Sequence, residues 1–405
     1  RVAISMRGFG ENAQNNTLVM VDGRRLNKPS MQAPDLNSIP LSNIERIEII
    51  RGAGTVLYGD QAVGGVINII TRTPTTSGGY IEASSGDHDL EAYRGNVYQE
   101  LGGGFSAYLS GESRNADNYR KHNHSNYDTH FGRLRYDYEQ GHVLYEYQHV
   151  DEDLKYPGSL DMAQANDDRR QSVDPSWNDS TTSVHRFAAA HQLDDVWGLN
   201  FDYSHSDQNG KGEWGTAFKQ GTRIETFTPR INAQFENTLG AASWLLGYDL
   251  IISDYEYLSA WGNTKIRQSQ RDWYTLLNQN LTPDLTLSLG YRSSQVKDTM
   301  LPFEDKTETD VDENAPNYLP PNVTRLKPQT GVSWETGAEW QRDSLRVQAS
   351  LYRLDLTDEL MYDAGIIDTG GRAGTNSNLD KKRLPGLTLE ADQQVNDRIK
   401  VGGQY

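Results

Sequence analysis

Three histidines, His122, His124 and His130, fall in one polar segment, YRKHNHSNYDTH at residues 119–130. Neutral imidazoles at such spacing are ligands of the kind Zn²⁺ or Cu²⁺ takes. The competing reading is a solvated loop in which the histidines only decorate a polar surface. A second segment, VDEDLKYPGSLDMAQANDDRR at residues 150–170, holds Asp151, Glu152, Asp153, Asp161, Asp167 and Asp168. Clustered carboxylates suit Ca²⁺, but the Asp-x-Asp-x-Asp-Gly loop is missing, which leaves loosely held divalent ions as the alternative. His122, His124, Asp151 and Asp153 are the metal candidates. No intrinsic cofactor is expected beyond Ca²⁺ in acidic outer loops.

No constellation for covalent or acid–base catalysis stands out. There is no HExxH, no GxSxG elbow and no cysteine. Gly52, Gly54, Gly59, Gly64 and Gly65 crowd one stretch, but no GK[ST] follows and a dinucleotide fingerprint would misplace its third glycine. They read as tight-turn glycines. Aromatics are expected in polar loops at Tyr119, Tyr127, Tyr156, Trp177, Trp214, Phe218, Tyr257 and Trp261, where they could grip a flat ligand through contact area or pack between loops. The chain is not expected to be an enzyme.

The elements that must position these residues follow from composition and period. The 405 residues are only 36% apolar and carry a net charge of −17. The mean hydropathy is −0.73. That charge opposes nucleic acid, whose binding needs phosphate neutralisation. No apolar run is long enough for a membrane-spanning helix, which leaves a membrane barrel open. The first residues, RVAISMRGFG, lack the layout of a signal peptide and look like the interior of a domain. They suggest a fragment or a trimmed mature form.

Two grammars divide the chain. Residues 1–77 read as a small α+β unit: TLVMV-DG-RRLN places Asp22-Gly23 between extended runs, a hairpin signal. RIEII and VINIIT are further β-branched runs, and Asn43 is expected to cap a short turn. From Gly78 onward the period is two. In RLRYDYE, Leu134, Tyr136 and Tyr138 oppose Arg133, Arg135 and Asp137; LNFDYSHS and DLTLSLGYR repeat the pattern. Tight turns (ELGGGF, YEQGHV, HQLDDVWG, ENTLGAAS, LTPDLT, WQRDSL, VNDRIK) alternate with longer polar connections. One rim of short turns, one of long loops and aromatics near strand ends favour an outer-membrane barrel over a soluble sandwich.

The stretch over residues 6–74, with IERIEIIRGAGTVLYGDQAVGGVINIITR near its end, resembles the plug of a TonB-dependent outer-membrane receptor. LKPQTGVSWETGAEW at residues 326–340 is similar to that family's mid-barrel LKPE-type signature. The resemblance implies an all-β transmembrane protein. A barrel of about 22 strands in the intact protein would be occluded by an N-terminal plug. Residues 1–77 would be the plug and 78–405 a partial barrel, with about fourteen to sixteen strand-like runs by alternation. The TonB box is expected before Arg1 and further strands after Tyr405. The segment at 299–325 is too short and proline-rich for the strand pair expected there.

The implied function is active import of a scarce nutrient chelate, foremost a ferric siderophore. Cobalamin, haem and a copper or zinc complex are the alternatives, and a passive porin or adhesin barrel is the reading outside the class. Haem is demoted because neither the FRAP nor the NPNL type of motif occurs. Implied partners are the TonB–ExbB–ExbD complex, lipopolysaccharide, and phage or bacteriocins. Gln14, Asn15, Lys28, Met31 and Gln32 would form a ligand floor at the plug apex. Tyr119, Tyr156, Trp177, Trp214 and Trp261 would close over it. Arg7 and Arg51 occupy positions where the family's plug arginines pair with barrel glutamates, for which Glu335 and Glu313 are the matching candidates.

Overall fold

The computed structural model describes residues 4, 6, 17–27, 34, 36, 39–51, 54–59, 62, 64–73, 75–260, 262–300, 327–367, 373–396 and 398–404. Two sheets account for its strands. The first has four strands in the order β2-β1-β4-β3, where β1 is Thr17–Val21, β2 Arg24–Arg25, β3 Ile44–Arg51 and β4 Gly65–Thr71. All five residues of β1 are buried, as its apolar, β-branched sequence requires of a central strand. It runs parallel to β4 and antiparallel to β2.

Asp22 and Gly23 turn β1 into β2 with φ of 49° and 85°, the left-handed pair that a two-residue hairpin needs. The Asp22 carboxylate then accepts from the Thr71 amide (2.9 Å) and hydroxyl (2.6 Å), fastening the hairpin to the end of β4. Leu18, Met20, Ala62 and Val66 make one apolar centre; Val21, Ile39 and Ile69 make another. A single helical turn, α1 (Thr55–Tyr58), joins β3 to β4 and ends at Gly59.

Asn43 departs from expectation. It closes a 3-10 turn, Leu41–Asn43, but makes no side-chain cap there. Its amide instead donates to Ser110 Oγ (2.8 Å) and accepts from Tyr108 Oη (2.8 Å) on the second sheet. The backbone already closes this turn, through Asn43 N–H to the Pro40 carbonyl, so the side chain is released for a longer-range contact.

The second sheet has sixteen strands. They are β5 (Gly78–Gly86), β6 (Leu90–Gly102), β7 (Phe105–Ala116), β8 (Ser125–Tyr138), β9 (Gly141–Tyr156), β10 (Ser176–Gln192), β11 (Trp197–Trp214) and β12 (Thr216–Phe227). Then follow β13 (Arg230–Asn237), β14 (Gly240–Ser259), β15 (Gly262–Thr282), β16 (Leu285–Met300), β17 (Gln329–Arg342), β18 (Leu345–Ile367), β19 (Ala373–Asn396) and β20 (Ile399–Gln404). Neighbours pair antiparallel in chain order. β12 and β13 are the exception, since both lie between β11 and β14. They are one strand interrupted at Thr228-Pro229, where proline has no N–H to give the ladder.

Alternation sorts the faces. In β9, Leu144, Glu146, Val150, Glu152 and Leu154 are buried, while Tyr145 and Tyr147 are exposed. Leu134, Phe187, Leu199, Tyr203, Leu289, Tyr291 and Trp334 are likewise exposed on the outward phase of their strands. An apolar outward face and a polar inward one is the membrane-barrel arrangement. The small sheet lies against the inward face. Its 3-10 turn touches β6 and α1 touches β15, β16 and β17, so the wall reaches around the plug. One further helix, α2 (Met162–Asp167), lies between β9 and β10 and starts in a capping box of Asp161 and Gln164. Among the described residues no helix is long and apolar enough to cross a membrane.

Candidate functional site

The inward face carries a belt of charge at the level of the plug. Successive strands contribute Arg133 (β8), Glu146 (β9), Arg186 (β10), Asp202 (β11), Arg230 (β13), Asp249 (β14), Asp272 (β15) and Arg292 (β16). The register makes this possible, since Arg133 faces Glu146, Glu146 faces Arg186 and Asp249 faces Asp272 directly across the ladder. The pairs are close: Arg133 to Glu146 at 2.6 Å, Arg186 to Glu146 at 3.1 Å and Arg186 to Asp202 at 2.6 Å. Arg230 donates to Tyr274 Oη (2.8 Å), and Arg292 joins Asp249 (2.7 Å) to Asp272. The Arg292 guanidinium also lies over the Tyr274 ring, 4.8 Å from its centre.

Three of these arginines also hold the plug. Arg133 donates to the Arg72 carbonyl (2.9 Å), to Thr73 Oγ1 (3.1 Å) and to Thr71 Oγ1 (2.7 Å), and lies 3.5 Å from the Asp22 carboxylate. Arg186 donates to the Asp22 carbonyl at 3.2 Å. Arg292 donates to the carbonyls of Val56 and Leu57, both at 3.2 Å. Those carbonyls belong to the last turn of α1, where helical partners run out. A guanidinium fork has enough donors to serve a wall carboxylate and a plug carbonyl together.

The α1 contact is close. Thr55 Oγ1 and Ser333 Oγ are 2.6 Å apart, and both residues are buried. Gly290 faces Val56 so tightly that a Cβ there would stand 2.8 Å from Val56 Cγ1. The inner wall leaves space only for the helix it meets.

Sequence reasoning named plug arginines and wall glutamates. Glu335 lies on the inward phase of β17, two residues from Ser333, and faces Gly290 and Tyr352 across the ladder. Arg7, Glu313 and the side chain of Arg51 lie outside the described residues, as do Gln14, Asn15, Lys28, Met31, Gln32 and Trp261. The polarity that the described residues show is the opposite one, with wall guanidinium groups on plug oxygens. A signal for the belt was present in GRL, YEY, HRF, FDY, PRI, YDL, RDW and YRS, each a charge flanked by apolar or aromatic residues or by proline on at least one side.

The rim aromatics expected in loops lie mostly on strands. Tyr127, Tyr156, Trp177, Trp214, Phe218 and Tyr257 belong to β8, β9, β10, β11, β12 and β14. The strands run past the apolar zone because ladder hydrogen bonds, and not hydrophobicity, set their length. By alternation Tyr156 and Trp214 share the inward phase and Trp177 the outward one. Tyr119 does lie in a connection, stacked edge-on with His88 and under Arg170.

The metal candidates are dispersed. His122 Nε2 meets the Ser176 carbonyl (3.1 Å), whereas His124 Nδ1 meets Asp117 (2.9 Å). Asp151 and Asp153 lie on β9 and not in a loop; Asp151 accepts from Thr181 Oγ1 (2.7 Å). Asp161 caps α2, and Asp168 pairs with Lys121 (3.0 Å). The Arg170 amide, then Lys121, holds the Asp168 carboxyl below its ordinary range. Among the described residues no group of three His, Cys, Asp or Glu is placed to hold a metal.

Comparison with known proteins agrees with this architecture. The TonB-dependent Receptor Plug Domain matches residues 1–66, and the TonB dependent receptor-like β-barrel matches residues 301–405. The vitamin B12 transporter BtuB of Photobacterium profundum is 42% identical over 86 residues, which is 21% of this chain and 14% of that protein. The alignment thus spans a small part of the curated relative. Among solved structures, the alcaligin outer membrane receptor FauA of Bordetella pertussis has a TM-score of 0.66 at 17% identity. It covers 97% of this chain and 72% of that one. The ferripyoverdine receptor of the outer membrane of Pseudomonas aeruginosa has a TM-score of 0.69 at 15% identity, covering 99% of this chain and 64% of that one. The inward-held plug and the sixteen-stranded wall share the fold of these outer-membrane receptors, and the two family models match the plug and part of the barrel.

Proposed function

We propose that the whole protein imports a scarce nutrient chelate, foremost a ferric siderophore, across the outer membrane with energy delivered by TonB, ExbB and ExbD. The observation that carries this reading is the plug seated on the inner wall by Arg133, Arg186 and Arg292. A solute wider than the gaps around it can pass only when those contacts are broken, so passive diffusion is a poor fit. The siderophore class draws on the alcaligin and ferripyoverdine receptors, whose fold this chain shares. Cobalamin is the second reading, favoured by the identity to a vitamin B12 transporter.

The test is uptake by cells carrying the full-length receptor. A panel of radiolabelled ferric siderophores and labelled cobalamin should yield one class that is taken up with TonB and retained only at the surface without it. Undiminished uptake in de-energised cells would move the protein to the passive pores.

A further inference from the structure

The plug hairpin bears two adjacent arginines with different circumstances. Arg25 donates to the Tyr58 carbonyl within the plug. Arg24 points to the wall, and among the described residues no hydrogen bond or ion pair holds its guanidinium. Burial first, and then the like charge of Arg186, push the Arg24 guanidinium below its ordinary range, against the pull of Glu146, Asp22 and Asp202. A half-buried guanidinium without a hydrogen-bonded counter-charge is a costly arrangement unless something else satisfies it.

Space for that something exists. Arg24 borders three cavities between the hairpin and strands β8 to β14. The largest of them, about 60 Å³, has Arg24 and Arg25 as its charged residues and no carboxylate in its lining. The wall opposite offers neutral hydrogen-bonding groups, among them Gln148, Thr182, Ser206, Gln208 and Thr226. The register stacks the first four in two rows, Gln148–Val184–Ser206–Ile224 and Val150–Thr182–Gln208–Thr222, directly above the Glu146–Arg186–Ser204–Thr226 row. Positive charge on one side and hydroxyl and amide groups on the other, with the acids Asp22, Glu146 and Asp202 confined to the neighbouring cavities, make a receptor for a small anion.

We propose that this pocket is an anion site, which in the resting receptor takes a small anion and during import takes an acidic oxygen group of the passing solute. The second half rests on the import reading; the first does not. In the closed state the cavity has room for a few waters or one small ion. A larger solute reaches Arg24 only as the hairpin leaves the wall. Its carboxylate, phenolate or phosphate oxygens then meet the guanidinium that the plug carries with it. The site would favour anionic chelates at a step after surface capture.

Bromide is the direct probe. Crystals of the full-length receptor soaked in sodium bromide should show anomalous scattering beside Arg24, retained in Arg24→Lys and lost in Arg24→Gln. No peak there in the wild type, or a peak that persists in Arg24→Gln as an adventitious ion only, overturns the site. In cells, Arg24→Gln should slow TonB-dependent uptake of the ferric chelate selected by the uptake panel by about tenfold, as expected for losing a charged hydrogen bond. Surface binding of that chelate should stay unchanged. Wild-type uptake rates in Arg24→Gln overturn the passage role. Uptake that never needed TonB, with the bromide peak intact, sinks the import reading and leaves the anion site standing.

Discussion

Thr55 in the plug and Ser333 in the wall share a hydrogen bond of 2.6 Å across 278 positions of chain. Both side chains are shut away from water, with exposures of 1% and 2%. Ser333→Ala leaves the Thr55 hydroxyl stranded in that seam, at a cost of about 1–3 kcal/mol. Gly290→Val drives a side chain into Val56 and should weaken the same seat by overpacking, by about 1–3 kcal/mol. Both variants should leak small solutes faster in reconstituted bilayers while the barrel melts as before. Wild-type leakage in both would show that the α1 contact is not a seat.

Arg292 should be the costliest single loss. It is 1% exposed and serves two wall carboxylates and two plug carbonyls. Arg292→Gln strands Asp249 and Asp272, a penalty of about 3–5 kcal/mol for a broken buried pair. Adding Asp249→Asn should restore part of it. Thermal unfolding of the purified receptor reads the difference, and a double variant no more stable than the single one would deny the coupling.

Glu335 is offered as a latch residue, because it shares the inward phase with Ser333 beside the plug helix. Glu335→Gln should lower the force at which the plug is pulled from the barrel, or raise solute leakage, with ligand affinity nearly unchanged. A strong loss of affinity with normal retention would make it a ligand contact instead.

Trp214 and Trp177 should separate. Trp214 is 73% exposed at the end of β11 on the inward phase, while Trp177 sits on the outward phase of β10. Trp214→Ala should therefore weaken ligand binding by about 2 kcal/mol, roughly thirtyfold. Trp177→Ala should bind as wild type. The reverse result in a binding titration would invalidate the assignment of phases to function.

The barrel was legible because two-residue alternation and tight turns are local signals. RLRYDYE and LTPDLT announce a strand and a turn without knowledge of any neighbour. The plug was legible through β-branched runs around Asp22-Gly23. The belt was not, because its members become partners only through register. Nothing local joins Arg133 to Glu146 or Arg292 to Asp249, and a charge in the polar phase of a strand looks the same whether it meets water or a plug. The rim aromatics were misplaced into loops for a related reason. Polar sequence marks where the membrane ends, yet β14 and β15 extend over 20 and 21 residues, beyond the roughly 9–11 that crossing requires.

Each wall arginine that touches the plug also keeps a carboxylate on a neighbouring strand. If the plug moves away, Arg133, Arg186 and Arg292 forfeit carbonyl or hydroxyl partners that water can replace, and Arg133 also gives up Asp22, but each keeps its wall carboxylate. The wall remains electrically self-sufficient in the open state. The donors stay aimed at the places the plug vacated, so reseating needs no rebuilding of the wall. A barrel of this design can be emptied and refilled many times with its charge pattern unaltered.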